Sequence, residues 1–214
     1  MPDTSHVRWI SPDPNAPEQL FVCIEAGALV RSRDGGETWV DRVEDGPLDT
    51  HTLALRADAP GRLYSAAGDG VLSAGRGYSE SPDGGDTWER FPDGLEHQYL
   101  WGLTTDPADP DTVVVSASEG PFRAHFPDEG AESTVYRKEA GGPWREARDG
   151  MKGPEGTTTA VLATDGATPG LFYALDNRGL YRSTDAGKGW ERLNVSWPEP
   201  YRRQQAQALV VTEG

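Results

Sequence analysis

The chain has 214 residues, a formal net charge of −15 at pH 7 and a pI near 4.6, so nucleic acids and anionic membranes would repel it and neither is an expected partner. Twenty-six glycines and 17 prolines punctuate the chain too often for long helices, and no apolar run nears the length that spans a bilayer. One cysteine, Cys23, excludes an internal disulfide, and Met1 to Ser5 lack the charged-then-apolar order of a secretory leader; the expectation is a reducing, cytoplasmic setting.

In chain order, the same series of pieces recurs four times. An apolar run (Val7 to Ile10) meets an Asp-Pro turn (Asp13-Pro14), a second run follows (Leu20 to Ile24), and a third (Leu29-Val30) enters a Gly-rich turn closed by Trp39. The second repeat has Leu53 to Leu55, Asp58-Ala59-Pro60, Leu63-Tyr64 and Tyr78. The third has Leu103, Asp106-Pro107, Val113 to Val115 and Val135-Tyr136, and the fourth Val161-Leu162, Asp165-Gly166, Leu171 to Leu175 and Leu180-Tyr181. With a Trp-led run after each Gly-rich turn, every repeat reads as four short antiparallel strands. The expected blades cover about residues 6–48, 49–97, 98–153 and 154–198, and residues 206–211 read as one extra first strand with no blade behind it. Two stretches break the regularity: Gly68 to Gly77 reads as a long loop in the second repeat, and Glu119 to Glu132 as an insertion in the third, with Phe122, His125 and Phe126 folding back over the face.

The Gly-rich turn carries a motif, Ser-x-Asp-x-Gly-x-Thr-Trp. It is complete at Ser32, Asp34, Gly36, Thr38 and Trp39 and at Ser81, Asp83, Gly85, Thr87 and Trp88. One change marks the copy at Ser183, Asp185, Gly187, Gly189 and Trp190, and a worn copy stands at Arg137, Glu139, Gly141, Pro143 and Trp144. A short carboxylate can accept the N–H groups of its own turn while glycines supply positive φ, which closes a hairpin. The four tryptophans are 49, 56 and 46 residues apart, the spacing of one propeller blade per repeat. These turns resemble the Asp-box, or BNR, repeats of sialidase-like and photosystem-assembly-type propellers. The resemblance covers nearly the whole chain and implies an all-β propeller of four-stranded antiparallel blades, with Asp34, Asp83, Glu139 and Asp185 in structural turns at the outer rim. Related propellers commonly have more blades, so the chain is expected to be the C-terminal part of a larger ring, a small closed ring, or an arc completed by another copy.

In a propeller, ligand-binding residues gather on loops at one mouth of the central channel. The segments just before each first strand supply Arg8, Trp9, His51, His97, Tyr99, Trp101, Glu155, Tyr201, Arg202 and Gln205, a mix suited to a small polar ligand, a glycan or a protein partner. Trp9 and Trp101 read more readily as packing between blades. The arginine cluster and Tyr–Glu pair that sialidases require are not recognisable, and no catalytic residue is assigned; a glycosidase remains the alternative, with Asp49, Glu96 and Glu155 its least unsuitable carboxylates. The four histidines lack metal-ligand spacing, and Gly68-Asp69-Gly70 is followed by no phosphate-binding helix, so no metal or cofactor is expected.

Overall fold

The computed structural model describes residues 6–212. Met1 to Ser5, the stretch read for a leader, lie outside the described residues. The chain divides into two compact units, Met1–Pro92 and Asp93–Gly214.

The first unit holds two sheets. One runs β1 (His6–Pro12), β2 (Leu20–Glu25), β3 (Ala28–Ser32), with Val40 joined to Arg31 by an antiparallel bridge where a fourth strand would start. The other runs β4 (Thr50–Leu55), β5 (Leu63–Ala67), β6 (Tyr78–Ser81), β7 (Glu89–Arg90). The second unit repeats the plan. It contains β8 (Tyr99–Thr105), β9 (Val113–Ser118), β10 (Ser133–Lys138) and β11 (Arg145–Glu146), then β12 (Val161–Thr164), β13 (Phe172–Asp176), β14 (Gly179–Ser183) and β15 (Glu191–Arg192). All pairings within these sheets are antiparallel and join neighbours in sequence, which makes each sheet an up-and-down propeller blade, and the fold is an all-β propeller. The Glu119 to Glu132 insertion folds as α1 (Pro121–His125) and a 3-10 turn at Pro127–Glu129; a second 3-10 turn, Asp69–Val71, occupies the Gly-rich loop.

The motif turns are closed by their own side chains. Asp34 Oδ1 accepts the Thr38 N–H at 2.8 Å, its Oδ2 accepts the Thr38 hydroxyl at 2.5 Å, and Ser32 Oγ both donates to Asp34 and accepts the Gly36 N–H. Ser81, Asp83, Gly85 and Thr87 reproduce this network, as do Ser183, Asp185, Gly187 and Gly189 through backbone N–H groups. In the worn copy, Glu139 instead accepts from Arg137 at 2.6 Å. The network is spent within each turn, so the motif serves structure.

Packing links consecutive sheets inside each unit. Trp88 seals a core of Phe21, Cys23 and Leu29 from the first sheet against Leu53 and Leu63 from the second. Trp190 does the same among Val114, Val135, Phe172, Ala174 and Tyr181. The indole N–H of Trp190 donates to the Ala147 carbonyl at 2.9 Å and its backbone N–H to Asp149, so the end of one sheet clasps the tryptophan of the next. Gly150 sits at φ +82° against the Trp190 carbonyl, where a Cβ would collide, and Gly94 meets Trp144 in the same way. The Asp-Gly pairs Asp93-Gly94 and Asp149-Gly150 are therefore a second repeated device. Arginines add a third: Arg31 donates to the Gly84 carbonyl at 2.7 Å and Arg137 to the Ala186 carbonyl at 2.5 Å, each reaching the motif turn of the following sheet.

Two expectations need correction. Residues 206–211 form no strand, because a strand needs a ladder partner and the described backbone there pairs with no sheet; the Gln207 side chain instead donates through Nε2 to the Gln205 carbonyl. The tryptophans of the motif precede rather than lead the fourth strands, which are two residues long at β7, β11 and β15.

Candidate functional site

The ten residues expected at a channel mouth separate into distinct environments. Arg8 and Trp9 lie within β1 and His51 within β4, not in loops. Trp9 is partly exposed, with its indole N–H donating to Ser11 Oγ at 2.9 Å. His97 pairs with the Tyr136 hydroxyl at 2.9 Å. Tyr99 and Trp101 belong to β8 and are buried: the Tyr99 hydroxyl meets His125 Nε2 at 2.8 Å, the His125 ring stands edge-on to Trp101 at 4.4 Å, and Ala124 and Val161 complete the cluster. Helix α1 thus caps these aromatics, which act as packing. His125 folds back as expected, whereas Phe122 and Phe126 remain exposed.

Glu155, Tyr201, Arg202 and Gln205 come together in the second unit, around a hub that the sequence did not single out. Asn177 follows β13 and is buried. Its Oδ1 accepts the Thr158 N–H at 2.9 Å, its Nδ2 donates to the carbonyls of Gly156 and Arg202 at 2.9 Å each, and its own carbonyl accepts the Trp197 indole N–H. One side chain therefore ties the extended segment that leads into β12, the 155–157 turn and the 3-10 turn Glu199–Arg203. Tyr201 packs edge-on to Trp197, and Gln205 donates to Thr159 Oγ1.

Beside this hub, Lys152, Arg178, Arg192 and Arg202 line a recess of about 170 Å³. The Asp176 carboxylate sets the hairpin that presents Arg178 by accepting the N–H groups of Arg178 and Gly179 at 2.6 and 3.0 Å. Arg178 donates to the Glu155 carbonyl at 3.1 Å, and Arg192 donates through Nε and a terminal N–H to the Arg178 carbonyl at 3.3 and 3.2 Å. Burial pushes the Asp176 carboxyl up to about 6, against the pull of its backbone N–H donors and of Arg178 and Arg192. A separate depression of about 390 Å³ is lined by Arg137, Glu139, Arg145, Glu146 and Lys188. Its charges compensate one another: Glu139 pairs with Arg137 and Lys188, and Arg137 holds its carboxyl below the ordinary range.

In the first unit, Glu25, Asp49 and His51 each bring one donor atom to within 4.8 Å of the others, a set of the kind that holds a divalent cation. Asp49 is held below the ordinary carboxylate range because His51, 3.6 Å away, and the Ala26 N–H outweigh the effect of burial. These residues come from different strands and connections, so no spacing in the sequence announces them.

No protein-family model matches the chain, and no curated protein resembles it in sequence. Similarity appears in solved structures. An ancestral GH74 enzyme is matched at TM-score 0.67 and 15% identity, over 87% of this chain and 24% of that one. The GH74 xyloglucanase from Xanthomonas campestris is matched at TM-score 0.61 and 21% identity, over 88% and 30%. YCF48 bound to D1 peptide is matched at TM-score 0.53 and 18% identity, over 89% and 54%. The likeness is one of fold, the β-propeller, and the chain spans about a quarter to a half of the length of these proteins.

Proposed function

We propose that this chain is a non-catalytic β-propeller of the Asp-box type, a binding module that takes a ligand or a protein partner at the recess of the second unit. One observation carries the reading: four cationic side chains line that recess and no carboxylate does. Glycoside hydrolysis requires two carboxylates facing each other across the sugar, one of them protonated to act as the acid. In the larger depression Glu139 is held ionised by Arg137, which suits an ion pair and not a general acid. The neighbours in fold include GH74 enzymes and YCF48 bound to D1 peptide, so the propeller is compatible with either use; the lining of the recess favours binding. A cytoplasmic setting belongs to the same reading, supported by a single, buried thiol at Cys23.

The test pairs a reducing-sugar assay on xyloglucan and sialylated oligosaccharides with a thermal-shift panel of acidic, neutral and basic small ligands. The expected outcome is no released sugar and a melting temperature raised by acidic ligands alone. Release of sugar by the wild-type chain, lost in Glu139→Gln, would overturn the reading in favour of the glycosidase.

A further inference from the structure

A protein of net charge −15 has few cations to spare, yet four of them, from four separate segments, converge on one recess. Lys152 comes from the connection between β11 and β12, Arg178 from the β13–β14 turn, Arg192 from β15 and Arg202 from the 3-10 turn Glu199–Arg203. Like charges held together raise the energy of the fold unless something neutralises them. Their partners do so only in part. Arg178 and Arg192 are positioned by carbonyl oxygens, which direct a guanidinium without cancelling its charge. The backbone is bare where these two groups lie: a Cβ at Gly179 would stand 2.7 Å from Arg192 Nε, and one at Gly156 would collide with the Arg178 guanidinium. Two carboxylates are near. Glu199 pairs with Arg202 at 3.2 Å, and Asp176 lies buried with its oxygen turned to the backbone of its own hairpin.

Resting on the reading of the chain as a binding module, we propose that the recess is an oxyanion site that takes the dianionic phosphoryl group of a phosphate monoester. Charge selects this class. A phosphate monoester carries a charge of about −1.5 to −2 at pH 7 on three acceptor oxygens, whereas a carboxylate or a sulfate ester offers only one negative charge. Planar guanidinium groups match phosphate oxygens in pairs, and Lys152 adds a point charge. Asn177 is a positioning residue, because it holds the Arg202 carbonyl and the 155–157 turn that anchors Arg178.

The experiment is isothermal titration of the full chain at pH 7.5 and low salt with inorganic phosphate, O-phosphoserine, inorganic sulfate and acetate. Phosphate and O-phosphoserine bind, acetate does not, and affinity falls as salt screens the recess. Arg192→Gln and Lys152→Gln each weaken phosphate by about tenfold, the usual effect of losing one charge-assisted hydrogen bond. Arg145→Gln, outside the recess, leaves it unchanged, and none of the three variants melts below the wild type. Equal affinity for acetate and phosphate, a preference for sulfate over phosphate at equal charge, or phosphate binding untouched by Arg192→Gln and Lys152→Gln would overturn the oxyanion site. If phosphate fails while another acidic ligand from the thermal-shift panel still binds, the phosphate assignment falls and the binding module stands. Released sugar removes the module itself.

Discussion

Asp176 shows how a single carboxyl can be set against its surroundings. Burial raises it from an ordinary 3.8 to about 6, so the folded chain keeps this proton to a higher pH than the unfolded chain does. The contribution to stability is therefore fully present below pH 4, falls as pH rises from about 4 to 6, and is lost above that, a span worth up to about 3 kcal/mol. In Asp176→Asn the amide oxygen can still accept the Arg178 and Gly179 N–H groups, and the titration disappears. Urea denaturation at pH 4 and at pH 7 should find the variant gaining on the wild type by about 1–3 kcal/mol as pH rises. An unchanged difference across that range would mean that the carboxyl is not buried as described. The motif aspartates behave oppositely: Asp34, held near 2 by Thr38 and Ser32, contributes stability above pH 4 that is lost as pH falls toward 2.

At the scale of strands and sheets, the tryptophans of the motif are chemically alike but differently placed. Trp88 and Trp190 are 8% and 5% exposed, each seated against the preceding sheet of its unit, while Trp39 in the first sheet is 46% exposed with its indole N–H on the Gly36 carbonyl. Trp88→Ala should cost about 3–5 kcal/mol through the cavity it leaves, and Trp39→Ala less than about 1 kcal/mol. Denaturant melts of the two variants measure this, and equal losses would refute the sheet-to-sheet role of the indole. The contrast also marks what could be read from the sequence. The motif turns were legible because Ser, Asp, Gly and Thr bond within a few residues of one another, and the strand runs were legible from apolar stretches between turns. The exposure of Trp39 was not, since it depends on what packs against the sheet. Nor was the recess: Arg202 stands out in its segment, but Lys152 lies in the connection ahead of β12, Arg178 in a hairpin turn and Arg192 in a two-residue strand, and they meet only through Asn177 and the hairpin of Asp176. Tyr99 and Trp101 looked like mouth residues because α1, which covers them, carries no strong helical signal in five residues.

For the molecule as a whole, the first sheet leaves Val7, Trp9 and Ile10 exposed on its edge strand β1 and Trp39 and Val40 exposed at its opposite edge, two sets of apolar side chains open to a second copy. Light scattering across a hundredfold range of protein concentration should find mass rising with concentration, and Trp39→Asp should suppress the rise. A constant monomer mass at every concentration would remove the homo-oligomer from the account.

The claim that the second unit is built to hold an anion is tested most directly by diffraction from crystals soaked in selenate, a tetrahedral dianion visible by its anomalous signal. A selenium peak enclosed by Lys152, Arg178, Arg192 and Arg202 is expected, absent from crystals of Arg178→Gln/Arg192→Gln. Selenate bound elsewhere on the chain with that recess empty, or a peak that persists in the double variant, would contradict it.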